Sequence, residues 1–224
     1  MDQLNELSLK FNCDKFYHNY SDHYNKLFDS IRDNTFNLLE IGIQYGNSLK
    51  MWHNYFINSN IYGADNFLGI NGNGSKFDDP LRFIHEYMNN KKEFNRINIR
   101  YIDQSNEDEL DYFVKKCTND FIQFKIIIDD GSHLMRDQQL TFFYLFDLVE
   151  NGGYYIIENI QTCDHDGYDV LPDKSNSTRL FFNNLKNGIC NSIYYNNNNI
   201  LNSINNIDIL KFNDDSELIV INKK

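Results

Sequence analysis

The chain has 224 residues, a net charge of −11 and 41% hydrophobic residues, with 15% aromatic. That supports one packed globular core and argues against disorder. No run of clustered Lys and Arg provides a nucleic-acid footprint or an anchor for anionic lipid, so neither nucleic acid nor membrane is an expected partner. The N-terminus lacks a basic start followed by an apolar stretch, and no apolar run reaches the ~20 residues of a membrane span. Cys13, Cys117, Cys163 and Cys190 form no Cys-x-x-Cys pair. Free thiols in a reducing, cytoplasmic setting are the expectation.

In chain order, residues 1–33 read as a helical N-terminal lid on a single domain covering 1–224. Short apolar runs at Phe36–Ile41, Ile61–Ala64, Ile97–Ile102, Phe124–Ile128 and Tyr154–Ile157 read as buried parallel strands. Amphipathic stretches at Ser48–Ile57, Leu81–Asn89, Glu107–Lys116 and Met135–Val149 read as helices between them. Ile207–Phe212 and Leu218–Ile221 flank the turn-rich Asn213-Asp214-Asp215-Ser216 and read as a β-hairpin. The Asn196–Asn199 run reads as a loop swollen by a compositional bias toward Asn; alanine occurs only at Ala64. Alternating strands and helices predict an α/β, three-layer, Rossmann-like doubly wound sheet. The closing hairpin points to a seven-stranded sheet, mostly parallel with an antiparallel end.

Ligands of such sheets bind beyond the carboxyl ends of the strands. There the first strand runs Leu39-Glu40-Ile41-Gly42-Ile43-Gln44-Tyr45-Gly46-Asn47-Ser48. A dinucleotide loop would carry glycine where Gln44 stands. Glu-x-Gly-x-x-x-Gly better suits a smaller cationic ligand with Glu40 beside its amino group; the alternative is an ordinary strand–helix turn. Asp65 ends the second strand, where a carboxylate grips ribose hydroxyls. Asp103 and Gln104 end the third, suited to an adenine edge.

The fourth strand runs into Asp129-Asp130-Gly131-Ser132-His133 and the fifth into Glu158-Asn159. Adjacent parallel strands bring Asp130 and Glu158 together as hard oxygen donors that suit Mg²⁺. A neutral His133 nearby would remove a proton from a hydroxyl. The plain alternative is solvated acids and a hydrogen-bonded loop histidine. His53 and His85 fall in helices and read as structural, whereas His165 follows the fifth strand and is placed to line a substrate pocket. No Cys/His cluster has zinc spacing.

These segments together resemble the Mg-dependent macrolide 6-deoxysugar O-methyltransferases, the mycinamicin and tylosin type of class I S-adenosylmethionine-dependent methyltransferase. The likeness runs from about Asp14 to Lys223. It is carried by Leu39-Glu40-Ile41-Gly42 with Gly46-Asn47-Ser48-Leu49-Lys50-Met51-Trp52, by Ile128-Asp129-Asp130-Gly131-Ser132-His133 with Gln138 and Thr141-Phe142, and by Gly152–Thr162. Asp14-Lys15 with His18, Tyr20 and Tyr24 is similar to the family's opening motif. The resemblance implies S-adenosylmethionine and Mg²⁺ as cofactors, with Asp130, Glu158 and Asn159 as metal ligands and His133 as general base. The cofactor-binding set becomes Glu40, Gly42, Tyr45, Gly46, Ser48, Asp65, Asp103, Gln104, Asp130 and His18.

The implied reaction is methyl transfer to a sugar hydroxyl of a glycan, nucleotide sugar or glycosylated metabolite. Family members are commonly oligomers, so a homo-oligomer is an expectation of the same origin. The family usually has Asp where this chain has Asn159, which removes one charge from the metal site. It tends to have aromatics where this chain has Cys163-Asp164-His165. It also carries a separate N-terminal region, for which this chain has no expected room. Two rival readings remain. One is a cephalosporin-hydroxylase-like oxygenase holding iron on Asp130, His133 and His165; the other is a non-catalytic binding protein on the same fold. An NAD-dependent dehydrogenase is disfavoured by Gln44.

Overall fold

The computed structural model describes residues 2–70, 72–76, 78–195 and 199–224; the Asn-rich run expected as a loop lies largely outside these residues. Seven strands form one sheet: β1 (Asn37–Ile41), β2 (Asn60–Asp65), β3 (Ile97–Tyr101), β4 (Phe124–Asp129), β5 (Val149–Ile157), β6 (Ile204–Asn213) and β7 (Ser216–Lys223). Their order is β3-β2-β1-β4-β5-β7-β6. The first five pair in parallel, and β7 enters antiparallel between β5 and β6. This is the mostly parallel α/β sheet with an antiparallel end that the sequence predicts.

The helices are α1 (Gln3–Lys10), α2 (Tyr20–Phe28), α3 (Asn47–Tyr55), α4 (Arg82–Asn89), α5 (Glu107–Asn119), α6 (Met135–Leu145), α7 (Thr178–Lys186) and α8 (Ile200–Ser203). Among the described residues no helix is long and apolar enough to cross a membrane. Local chemistry starts several of them. The Asn106 side chain accepts from the amides of Asp108 and Glu109 at the head of α5. Three acidic residues in that first turn face the positive end of the helix dipole. Ser177 caps α7 in the same way.

Strand alternation divides the core. Leu39, Ile41, Ile127, Tyr155 and Ile157 pack with α5, α6 and α7 on one face. Leu38, Ile126, Ile128 and Ile156 pack on the other with Tyr24 and Phe28 of α2 and Trp52 of α3. Both faces are covered, so the inner parallel strands are mostly apolar, whereas the edge strand β3 alternates with Asn98 and Arg100 and is only partly buried. Tyr24, Phe28 and Trp52 are fully buried, each contributing about 1.5–3 kcal/mol of apolar burial. The N-terminal segment is therefore helical and is built into the core.

The sheet order reverses between β1 and β4, opening the crevice where doubly wound folds take ligands.

Candidate active site

The loop after β1 can turn only because Gly42 has no side chain. It sits at φ +92°, and a Cβ there would lie 2.1 Å from the Asp130 carbonyl oxygen. Gln44, standing where a dinucleotide loop has glycine, also takes a positive φ of 47°. Asp65 at the end of β2 braces this loop, its carboxylate accepting from the amides of Ile43 at 2.7 Å, Gln44 at 3.4 Å and Phe67 at 2.6 Å. Above the crevice lies a cavity of about 780 Å³, lined by Gly42, Tyr45, Ser48, Asp65, Asp103, Gln104, Asp130 and His133 among others. Its size and its polar ring at the strand ends suit a nucleoside-sized ligand.

Gln104 is firmly positioned. Its amide nitrogen donates to Asp129 at 3.2 Å and Thr141 at 3.1 Å, and its carbonyl oxygen accepts from the Ser132 amide at 2.6 Å. It therefore ties the third strand end to the loop after β4. Burial pushes the Asp129 carboxyl up to about 7 despite these bonds, and that side chain faces the interior beneath the site. Asp103 turns its carboxylate onto the amide and hydroxyl of Ser105, at 3.0 and 2.6 Å.

Three residues of the expected cofactor-binding set, Glu40, His18 and Gly46, do not line this cavity. Glu40 is completely buried and does not line the cavity. One of its oxygens accepts from Ser48 at 2.8 Å and the other pairs with Lys15 at 3.0 Å. The cation beside Glu40 is thus the chain's own lysine. His18 lines a second, adjoining hollow instead, with Nδ1 2.8 Å from the Ser216 hydroxyl. Gly46, at φ +67°, adjoins the Phe83 ring, which a Cβ would strike at 2.2 Å.

Lys15 is the feature that sequence reasoning left without a role. It is fully buried, with Nζ 2.7 Å from Glu158, 2.9 Å from Asp130 and 3.0 Å from Glu40. Burial alone would lower its pKa; the three carboxylates, Asp130 foremost, outweigh that and hold it well above the ordinary lysine value. Glu158 is nevertheless raised well above the usual carboxylate range, by burial first and by Asp130 second. One ammonium does not neutralise three carboxylates, so the cluster retains affinity for a further cation or a proton. Carboxylate oxygens of Glu40, Asp130 and Glu158 lie within 4.8 Å of one another. The donors are all hard oxygens, as Mg²⁺ requires. Among the described residues this metal-capable cluster contains no histidine, so the iron set of a hydroxylase is not assembled.

Asn159 follows Glu158 at φ +59°, a conformation asparagine tolerates better than most residues. Its side-chain oxygen accepts from the Tyr20 hydroxyl at 3.1 Å, and its nitrogen faces His133 Nε2 at 3.3 Å. In that assignment Nε2 is the acceptor, so the proton rests on Nδ1, which is buried without a hydrogen-bond partner among the described residues. Burial lowers the His133 pKa, against the pull of Asp130. That shift favours the neutral ring, whose Nε2 lone pair faces the Asn159 amide. Thr162 donates to the His133 carbonyl at 3.2 Å and Gln138 to that of Glu158 at 3.2 Å, locking the two loops. His165 lies in the second hollow, whereas His53 and His85 lie on α3 and α4 and line neither cavity.

No protein-family model matches the chain. In sequence it is related to sugar O-methyltransferases. It is 28% identical over 174 residues to the L-olivosyl-oleandolide 3-O-methyltransferase of Streptomyces antibioticus, covering 74% of this chain and 39% of that protein. It is 31% identical over 174 residues to the 8-demethyl-8-(2-methoxy-alpha-L-rhamnosyl)-tetracenomycin-C 3'-O-methyltransferase of Streptomyces olivaceus, covering 74% and 38%. With the mycinamicin VI 2''-O-methyltransferase of Micromonospora griseorubida the identity is 30% over 181 residues, covering 76% and 39%. The chain thus spans about two-fifths of the length of these relatives. The solved MycE methyltransferase of the mycinamycin pathway, in complex with Mg, SAH and mycinamycin VI, superposes with a TM-score of 0.72. That match has 24% identity and covers 99% of this chain and 54% of the other, so the two share the class I methyltransferase fold.

Proposed function

We propose, from this kinship with sugar O-methyltransferases and from the shared class I fold, that the chain transfers a methyl group from S-adenosylmethionine to a sugar hydroxyl. The observation that supports it most is the meeting of His133, Asp130 and Asn159 on the wall of the cavity over Gly42 and Asp65. In this reading S-adenosylmethionine occupies that cavity and supplies an electrophilic methyl group. Asp65 has lone pairs left to accept from ribose hydroxyls while it braces the glycine loop. Tyr45, Ser48, Asp103 and Gln104 form the remaining walls.

Asp130, Glu158 and Asn159 would hold Mg²⁺, whose contribution there is to make a bound hydroxyl more acidic. His133 would take the hydroxyl proton at Nε2, with the substrate hydroxyl displacing the Asn159 amide that donates to that lone pair here. Its burial favours the neutral imidazole, the form a base needs at pH 7. Lys15 keeps Glu158 and Asp130 in place by charge and hydrogen bonding, and Tyr24 adds a hydroxyl donor to Glu158 at 2.7 Å. In-line alignment of the acceptor oxygen with the methyl donor would supply much of the acceleration in such a reaction.

Calorimetric titration with S-adenosylhomocysteine tests the cofactor half of the reading, and His133→Ala tests the base. The variant should retain cofactor affinity and lose methyl transfer by about 10²-fold or more. Full transfer by His133→Ala would remove His133 from the mechanism, and a protein that does not bind the demethylated cofactor would end the methyltransferase reading itself.

A further inference from the structure

Residues 66–81 join β2 to α4, and no helix or strand forms among the described residues of this stretch. A connection of that length without regular structure is uncommon in a compact domain and usually serves binding. Here it crosses the large cavity: residues 66–70, Gly72 and Pro80 all line it. Its first foot is pinned, since Phe67 takes a positive φ of 54° and its amide donates to Asp65 at 2.6 Å. Gly69 lies against Pro80, which a Cβ at 69 would strike at 2.6 Å, so the two feet of the loop touch. Surface loops closed at the base in this way are compact and frequently functional.

At its tip the loop meets the far wall of the cavity. Gly72 sits on the loop after β4 that carries His133, where a Cβ would lie 2.1 Å from the Ser132 carbonyl oxygen and 2.9 Å from the Leu134 side chain. The seat is firmly held. The Ser132 amide donates to Gln104 at 2.6 Å and its hydroxyl to Asp137 at 2.7 Å. The tip, by contrast, stands in solvent, with residues 73–76 exposed. Between foot and tip, Leu68 and Ile70 line the cavity yet are 60% and 49% exposed. Apolar side chains left this open at a cavity wall gain free energy when a ligand covers them.

We propose that residues 66–80 form a strap that retains the cofactor. Leu68 and Ile70 close onto the bound molecule, Gly72 is the latch on Ser132, and the cofactor leaves only when that latch lifts. The inference rests on the methyltransferase reading and adds to it a gate on cofactor exchange. Ser132 directly precedes His133, so the strap is latched to the loop that carries the base. A side chain at 72 would hold the strap off its seat. Polar residues at 68 and 70 would loosen its grip and leave the core untouched, because both positions are exposed.

The test begins with brief trypsin digestion of the whole chain, with and without saturating S-adenosylhomocysteine. Lys76 is exposed near the tip, and cleavage after it should slow at least about tenfold with the ligand, because a protease cuts the open form. Cleavage after Lys91 and Lys92, exposed between α4 and β3, is the internal control and should not change. Surface plasmon resonance then reads release. Gly72→Val, and separately the double substitution Leu68→Ser with Ile70→Ser, should speed S-adenosylhomocysteine dissociation about tenfold or more, with a smaller change in association. The double variant keeps the test decisive where Gly72→Val disturbs the loop at Ser132. Cleavage after Lys76 that ignores the ligand would overturn the proposal, and so would an unaltered dissociation rate in the double variant. Failure of the parent chain to bind S-adenosylhomocysteine would strike the methyltransferase reading itself, a result distinct from binding without protection at Lys76.

Discussion

Replacing Lys15 by methionine preserves length and apolar bulk and removes one charge from the centre of the site. Three carboxylates then face one another, with Glu40 and Glu158 almost wholly buried and Asp130 only 18% exposed. Deleting one partner of a buried ion pair costs about 3–5 kcal/mol, because the remaining charge is stranded away from water. For a chain of this size each kcal/mol shifts Tm by roughly 2–4 °C, so Lys15→Met should melt about 6–20 °C below the unaltered protein. Differential scanning calorimetry in EDTA reads this directly. Excess Mg²⁺ should then restore more of the loss in the variant than it adds to the unaltered protein, because a cation that binds only the folded state stabilises it by mass action. A Tm within 2 °C of the parent in EDTA would refute the reasoning, showing that Lys15 is a dispensable neighbour of the carboxylates.

Other substitutions probe separate parts of the site. Gly42→Ala forces a Cβ against the Asp130 carbonyl at a positive φ and should cost at least about 1–3 kcal/mol. It should also abolish S-adenosylhomocysteine binding, as read by urea denaturation and calorimetry; unchanged affinity would show that the loop has slack. Asn159→Asp restores a charge at the conformation that asparagine already holds and should tighten Mn²⁺ binding about tenfold or more. Equal affinity in a paramagnetic titration would exclude the Asn159 side chain as a ligand. The Asp164 carboxyl is held below its usual range by its hydrogen bond from Lys174 and then by Arg179. A depressed pKa stabilises the fold above the unfolded value and loses that contribution as pH falls through the folded one. The Tm difference between the parent and Asp164→Asn should therefore be present at pH 6 and shrink as pH falls below the ordinary aspartate range; a gap that stays constant into acid would mean packing, not charge.

The strands were legible because they are buried on both faces, leaving mostly apolar runs at β1, β2 and β4, broken by Glu40 in β1 and Lys125 in β4. The errors lie where burial and periodicity part company. The helix expected to run to Val149 ends at Leu145, and a 3₁₀ turn carries the chain through Phe146–Leu148. Phe146 and Leu148 stay apolar and buried on either side of the exposed Asp147, so the pattern ran on. β5 begins at Val149, well before the expected Tyr154, because Glu150-Asn151-Gly152-Gly153 reads as a turn although it extends the strand. α7 was missed altogether. It is nine residues long between polar segments, yet Ser177 caps it and Phe181, Phe182 and Leu185 are buried at helical spacing. Around the site, Asp65, Asp130, His133 and Glu158 were readable because strand ends converge by topology. Lys15 was not, since its partners lie 115 and 143 residues away and no local pattern announces a tertiary pairing. His18 shows the same limit: its motif was legible, but which of two adjoining hollows it faces depends on how the hairpin turn folds back.

The N-terminal segment changes most in meaning. Expected as a lid, it carries three polar groups into the site: the Lys15 ammonium, the Tyr20 hydroxyl on Asn159 and the Tyr24 hydroxyl on Glu158. Its apolar side meanwhile lies in the core with Trp52 and Phe56. Swinging it open would expose those rings and strip the carboxylates of their only close cation among the described residues, two costs paid at once. The cover is therefore part of the site's charge balance. Metal affinity, docking of residues 14–24 and the geometry of Glu158 and Asn159 form one thermodynamic unit. A ligand that reaches His133 without lifting this segment must come through the open cavity that His133 itself lines.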